Sequence, residues 1–355
     1  LEDIYLPYKP KRKTRASAAR EKGLEPLAEI IMTQKEDQLD KIAEKYLNEE
    51  VPDIESALAG ARDIIAEWIN ENTDARNKIR QLFERDAIIS SKVIEKKKDE
   101  GVKYQDYFDF SEPLERCAGH RLLAIRRAEQ EGILRVSISI DNENAFENLE
   151  KIFIKNKNES AIQVGLSIKD AHKRLLAPSI ETEFKNSSKA KADEEAIRVF
   201  SENLRQLLLS PPLGPKITMA IDPGFRTGCK LVCLDQQGNL LHHNTIYPHP
   251  PQPKVDEATE KIKGLLKKYK VEAIAIGNGT AGRETERFIK SLLGETSTTE
   301  IFMVNEAGAS IYSASETARE EFPDLDLTFR GAISIGRRLM DPLAELVKID
   351  AKSIG

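Results

Sequence analysis

The chain has 355 residues, 40% of them apolar and 32% charged, and carries a net charge of −5. That apolar share is ordinary for a soluble chain that builds real cores, and the length suggests two or three domains. A net negative charge excludes a uniformly basic nucleic-acid binder, so any such role must rest on local patches. Three cysteines, Cys117, Cys229 and Cys233, make no disulfide framework and no paired CxxC metal motif. There is no signal-peptide pattern and no apolar run near the ~18 residues a membrane span needs, so a cytoplasmic location is expected. The start at Leu1 rather than Met suggests a piece of a longer protein.

Pro7 and Pro10 hold the opening stretch extended, and a helical pattern begins near Ala16, with Leu24, Leu27, Ala28 and Ile31 at helix spacing. Pro52 suits the first turn of the next helix, whose stripe is Ile54, Leu58, Ala61, Ile65 and Trp68. Thr73 is a candidate cap for a helix with Ile79, Leu82 and Phe83 inward, and Pro113 is a candidate start for another, carrying Leu122, Leu123 and Ile125. Around residue 134 the period falls to two: Val136, Ile138 and Ile140 alternate with polar residues, which predicts one short strand. Helical patterns resume from about Asn144 to Leu209, interrupted by the polar stretch KNSSKAKADEE, read as a solvated helix start.

SPPLGPK, residues 210–216, places three prolines and a glycine within seven residues and cannot continue a helix. Beyond it, ITMAID reads as a buried strand. GCKLVCLD puts Cys229, Leu231 and Cys233 on one face and Lys230, Val232 and Leu234 on the other. QQGN is a hairpin turn leading to LLHHNTIY. Helix 255–269, strand EAIAIG, helix 282–293, strand EIFMVN and a helix from Ala307 follow. Three hairpin-linked strands followed by helix-strand-helix-strand is the RNase H-like order, with the later strands parallel because helices connect them. The predicted class is therefore α+β and multidomain: a mainly helical region 1–209 with a strand near 134–140, a proline-rich linker 210–216, and an α/β RNase H-like domain with a mixed sheet over 217–342.

The segment LEDIYLPYKPKRKTRASAAREKGLEPLA resembles the helical region of the Tex family of bacterial transcription accessory proteins. IDPGFRTG, AIGNGTAGRETE and the run from VNEAGAS to AELVKID resemble that family's YqgF domain. The resemblance implies DNA or RNA binding, a role in transcription and a link to RNA polymerase. It implies further helix-hairpin-helix and OB-fold RNA-binding parts, to which residues 343–355 begin the connection. It extends to the core of a eukaryotic elongation factor that contacts histones and RNA polymerase.

For Asp222, ending the first strand of the RNase H-like unit, two compatible readings stand. The resemblance makes it a nuclease aspartate holding a divalent metal, Mg²⁺ in the nuclease alternative, whereas D-P-G-F is also a good turn sequence. Glu306 resembles the second acidic position of the YqgF pattern, or is a glutamate favoured at a helix start. At the third acidic position the chain offers Arg330, and at the end of EAIAIG it offers neutral Asn278; an arginine would repel Mg²⁺. Glu284, Glu286 and Asp341 are near in sequence without a spacing that makes them substitutes. The expectation is a degenerate nuclease-like site without a cofactor, in a nucleic-acid-binding scaffold. The alternatives are an active nuclease of the Holliday-junction-resolvase type and a protein-interaction scaffold.

GNGTAGR is a candidate anion cradle beside Arg226 and Arg283, or a plain strand-to-helix turn. The densest basic segment, residues 9–22, sets Lys9, Lys11, Arg12, Lys13, Arg15, Arg20 and Lys22 against a lone Glu21, with Tyr5 and Tyr8 nearby for stacking. It reads equally as a solvated strap. His242, His243 and His249 do not fall at metal spacing.

Overall fold

The computed structural model describes residues 13–251, 253–294 and 297–354. The chain forms two compact units, Leu1–Ala196 and Ile197–Gly355.

The first unit is built around helix α4 (Ile54–Glu71), against which α1 (Arg15–Glu21), α2 (Glu25–Thr33), the short α3 (Leu39–Ala43) and α8 (Glu159–Asp170) pack. Ala57, Leu58, Ala61, Ile64, Ile65 and Ile69 give α4 its buried stripe, and Asp53 caps it by accepting from the Ser56 amide. Pro52 thus precedes the cap. Likewise Asn72, not Thr73, caps α5 (Thr73–Asp86), because its side chain reaches the Ala75 amide.

The region contains more sheet than its sequence pattern predicts. β1 (Ile88–Val93), β2 (Asp109–Pro113) and β3 (Leu134–Ser139) form an antiparallel sheet in the order β2-β1-β3. Only β3 has clean apolar alternation. In β1 a buried inward position is Ser91, whose hydroxyl is satisfied by the Tyr107 carbonyl, and β2 reads DFSEP. Pro113 ends β2 and opens only a single 3-10 turn, Leu114–Arg116, and α6 (Gly119–Gln130), which carries Leu122, Leu123 and Ile125, starts six residues after the proline.

The chain continues through α7 (Asn142–Phe153) and α8. A π-helical turn, Ala171–Leu176, then leads directly into α9 (Ala177–Leu208). The wider turn lies just before Pro178, which lacks an amide donor and whose ring would crowd the carbonyl four residues back in a regular helix. KNSSKAKADEE sits inside α9 rather than at its start. On α9, Glu183 holds Arg76 and Arg80 of α5. Glu181 accepts from the Ile138 amide and Lys185 donates to the Val136 carbonyl, so α9 covers the open edge of β3.

The second unit has the RNase H-like order. β4 (Thr218–Asp222), β5 (Cys229–Leu234), β6 (Leu240–Ile246), β7 (Ala273–Gly277) and β8 (Glu300–Val304) form a mixed sheet ordered β6-β5-β4-β7-β8. The hairpins pair antiparallel; β4, β7 and β8 run parallel. Between these strands come α10 (Val255–Tyr269) and α11 (Gly282–Leu293), and after β8 come α12 (Ala309–Ala314), α13 (Glu316–Glu321), α14 (Leu327–Met340) and α15 (Pro342–Leu346). Period-two strands bury both faces. Met219, Ile221, Cys229, Leu231, Cys233, Ile274 and Ile276 pack with Ala258 and Ile262 of α10 and Ile289 of α11. Ala220, Val232, Leu234 and Ala275 pack on the other face with Ala332, Ile333 and Ile335 of α14. The proline-rich stretch is tied to this unit: Leu213 and Gly214 donate their amides to the Leu339 and Met340 carbonyls.

Candidate functional site at the strand ends

β4 and β7 are adjacent and parallel, and the chain leaves them in opposite directions along the sheet, from β4 toward β5 and from β7 toward β8. Loops diverge at their carboxyl ends, which is where open α/β sheets form clefts. Asp222, the last residue of β4, shares side-chain parity with Ala220, so it points toward α14. Burial pushes its carboxyl up to about 6, the nearby Glu306 carboxylate adds to the rise, and Lys230 across the β4–β5 ladder opposes it.

Glu306 follows β8 and lies directly over the end of β7. A methyl group at Gly279 would sit 1.6 Å from its Oε1, and one at Gly277 would sit 2.3 Å from its Oε2. This contact explains the glycines of GNGTAGR on internal grounds: two of them leave room for Glu306. The third, Gly282, lets α11 begin against the Gly277 carbonyl, where a methyl would meet the oxygen at 2.5 Å. Asn278 positions Glu306, because its Oδ1 accepts from the Glu306 amide at 3.3 Å. Arg338 holds the same loop from the α14 side, donating from Nη1 to the Asn305 and Ala307 carbonyls on either side of Glu306. Glu306 Oε2 is buried without a hydrogen-bond partner among the described residues.

The structure therefore brings Asp222 and Glu306 together. It does not bring Arg330 to them. The residue of α14 that faces Asp222 is Gly331, where a methyl would sit 3.4 Å from Asp222 Oδ2. Arg330 turns the other way and is buried, donating to the Phe322 carbonyl at 3.1 Å and to the Ser313 and Pro323 carbonyls at 3.4 Å. The expected positive intruder is thus a structural staple for the segment around α13. Arg330→Met is expected to destabilise the second unit by about 2 kcal/mol, since three carbonyls lose a charged donor; chemical denaturation measures it, and an unchanged midpoint would refute the role.

Removing the arginine from the cleft does not supply a third carboxylate. Glu286 pairs with Lys290, Asp341 caps α15 through the Ala344 amide, and Glu284 acts on His249 instead. Among the described residues no three His, Cys, Asp or Glu side chains converge as a metal site. The donor set does not fit the paired-cation arrangement that phosphodiester cutting by this fold requires.

The basic candidates are dispersed. Arg226 and Arg283 are exposed on the turns after β4 and at the start of α11. Lys13 pairs with Glu21, Arg20 is held by Glu25 and Glu67, and Arg15 is exposed. Lys9, Lys11 and Arg12, with Tyr5 and Tyr8, lie outside the described residues. His242 stacks on Tyr269, His243 meets Phe329 edge-on, and His249 contacts Thr285. A cavity of ≈ 390 Å³ lies elsewhere, lined by Pro215, Gly238, Arg337, Glu345 and Lys348. Its charges are already committed: Arg337 pairs with Glu321, and Lys348 with both Glu321 and Glu345.

Comparison with known proteins decides the family. Residues 216–340 match the family model described as the Tex protein YqgF-like domain, and residues 34–200 match the one described as Tex central region-like. The chain belongs to the Tex family. Over its whole length it is 42% identical to Protein tex of Bordetella pertussis, covering 47% of that protein, and 49% identical to the uncharacterized protein YdcI of Bacillus subtilis, covering 50%. It is also 34% identical to the human S1 RNA-binding domain-containing protein 1, covering 37% of it. The chain spans about half the length of the bacterial relatives it matches. The Tex assignment agrees with a helical first region and a YqgF domain built on a mixed sheet.

Proposed function

We propose that this Tex-family chain is a nucleic-acid-binding scaffold of a transcription accessory protein, with an RNase H-like domain that does not cut. The observation that carries the non-catalytic part is Gly331: it occupies the α14 position facing Asp222, so the cleft holds two carboxylates where cutting wants more. Asn278 and Arg338 hold the loop of Glu306 over the strand end, where it faces Asp222 as a second carboxylate. Nucleic-acid binding is supported by the family and by the name of the human relative, which refers to RNA binding. The basic segment 9–22 is the first candidate surface, with RNA polymerase as a candidate protein partner. No helix among the described residues is long and apolar enough to cross a membrane, and we place the function in the cytoplasm.

The test is incubation of the chain with labelled single-stranded, duplex and branched substrates in Mg²⁺ or Mn²⁺. Binding that weakens with added salt and with charge reversal at Lys11, Arg12 and Lys13, without cleavage, is the expected result. Cleavage that disappears in Asp222→Asn overturns the non-catalytic reading in favour of a metal-dependent nuclease. No binding at low salt favours a protein-interaction scaffold.

A further inference from the structure

The turn between β4 and β5 carries an aromatic ring that folding leaves uncovered. Phe225 is 37% exposed, although every strand residue flanking this turn on the α11 side is buried. Its ring is nevertheless held. It meets His249 edge-on, with centroids 5.8 Å apart and planes at 67°. His249 is only 7% exposed, and its Nε2 lies 2.8 Å from Thr285 Oγ1. Thr285 is fully buried in α11, and its hydroxyl is 3.7 Å from Cys229 Sγ of β5. The ring thus rests on a clamp that runs through His249 into a strand and a helix, while part of its surface faces solvent.

An exposed arginine follows it in the chain. Arg226 is the next residue and Arg283 lies in the first turn of α11; both are exposed, and among the described residues neither has an ion-pair partner. The acidic neighbour is Glu284, whose charge acts on His249. The Asp222–Glu306 pair belongs to the α14 face of the sheet, whereas the His249–Thr285–Cys229 clamp belongs to the α11 face. A held, part-exposed aromatic ring with an exposed guanidinium on the next residue suits a ligand that alternates flat rings with negative charges.

We propose that Phe225 is a stacking platform for one unpaired base of a single-stranded nucleic acid, with a neighbouring phosphate drawn to Arg226. This rests on the nucleic-acid-binding reading above and deepens it by naming the strandedness and the contact. Stacking on an aromatic ring is tolerant of base identity, so the site reads an unpaired base rather than a sequence.

The experiment is fluorescence anisotropy of the chain with a labelled oligothymidylate and with the same oligonucleotide carrying abasic sites, at low salt. Phe225→Leu is expected to weaken oligothymidylate binding on the order of 10-fold, and Phe225→Tyr to change it less than about twofold. The wild-type chain should bind the abasic oligonucleotide on the order of 10-fold more weakly than the thymidylate, and Phe225→Leu should no longer distinguish the two. Arg226→Gln should weaken both and flatten the salt dependence. If Phe225→Leu still prefers the thymidylate as the wild type does, the stacking platform is wrong and nucleic-acid binding stands. If the wild-type chain binds neither oligonucleotide, both readings fall.

Discussion

Asp222→Asn is expected to be more stable than the wild type at pH 7, by about 2–3 kcal/mol. The native state holds the Asp222 proton up to about pH 6, whereas the unfolded chain loses it near 3.8. Each pH unit of that gap is worth about 1.4 kcal/mol. Between these values the native state binds more protons than the unfolded one, so stability falls as pH rises through the window and the full penalty applies above it. The amide variant removes the penalty, together with the repulsion from Glu306. Its advantage should shrink as pH falls from 6 and vanish below about 4, where the carboxyl is protonated in both states. Urea unfolding of both proteins from pH 4 to 8 measures this. A variant equal to or less stable than the wild type at pH 7 would mean that the ionised carboxylate is well compensated, and the account of the cleft given above would be wrong.

Gly336→Val is expected to cost about 3 kcal/mol and to loosen the helix that carries Gly331. A Cβ at Gly336 would lie 2.6 Å from Leu234 Cδ1 and 2.8 Å from Ala220 Cβ. The first contact can be relieved by a side-chain rotation; the second involves an atom fixed to the central strand. α14 must therefore back away from the sheet, separating the layer of Ala332, Ile333 and Ile335 from Ala220, Val232 and Leu234. The helix-propensity gain of replacing a glycine offsets little of this, because valine's own propensity is modest. Denaturant unfolding reads the loss, and a midpoint within error of the wild type would show that the helix does not pack on the sheet this closely.

What was legible in the sequence is local. Strand parity separated Cys229, Leu231 and Cys233 from Val232 and Leu234, and the two core layers follow that division because successive strand side chains point to opposite faces. The turn sequence D-P-G-F closing ITMAID put Asp222 at a strand end. β1 was not legible because a serine satisfied by a backbone carbonyl sits where an apolar residue would have marked the strand, and β2 because DFSEP has no buried position to mark it.

The rest depended on packing. One step along a helix turns a side chain by ~100°, so whether Arg330 or Gly331 faces Asp222 is decided by how α14 seats on the sheet. The Glu306 contact with Gly277 and Gly279, and the His249–Thr285–Cys229 clamp beneath Phe225, join residues far apart in the chain. The sequence by itself determined the order of strands and helices in the second unit and the family, since both are written in local periodicity and motif. Which charges converge and which aromatic ring stays open were decided only by tertiary structure, because they depend on distances that no spacing along the chain encodes.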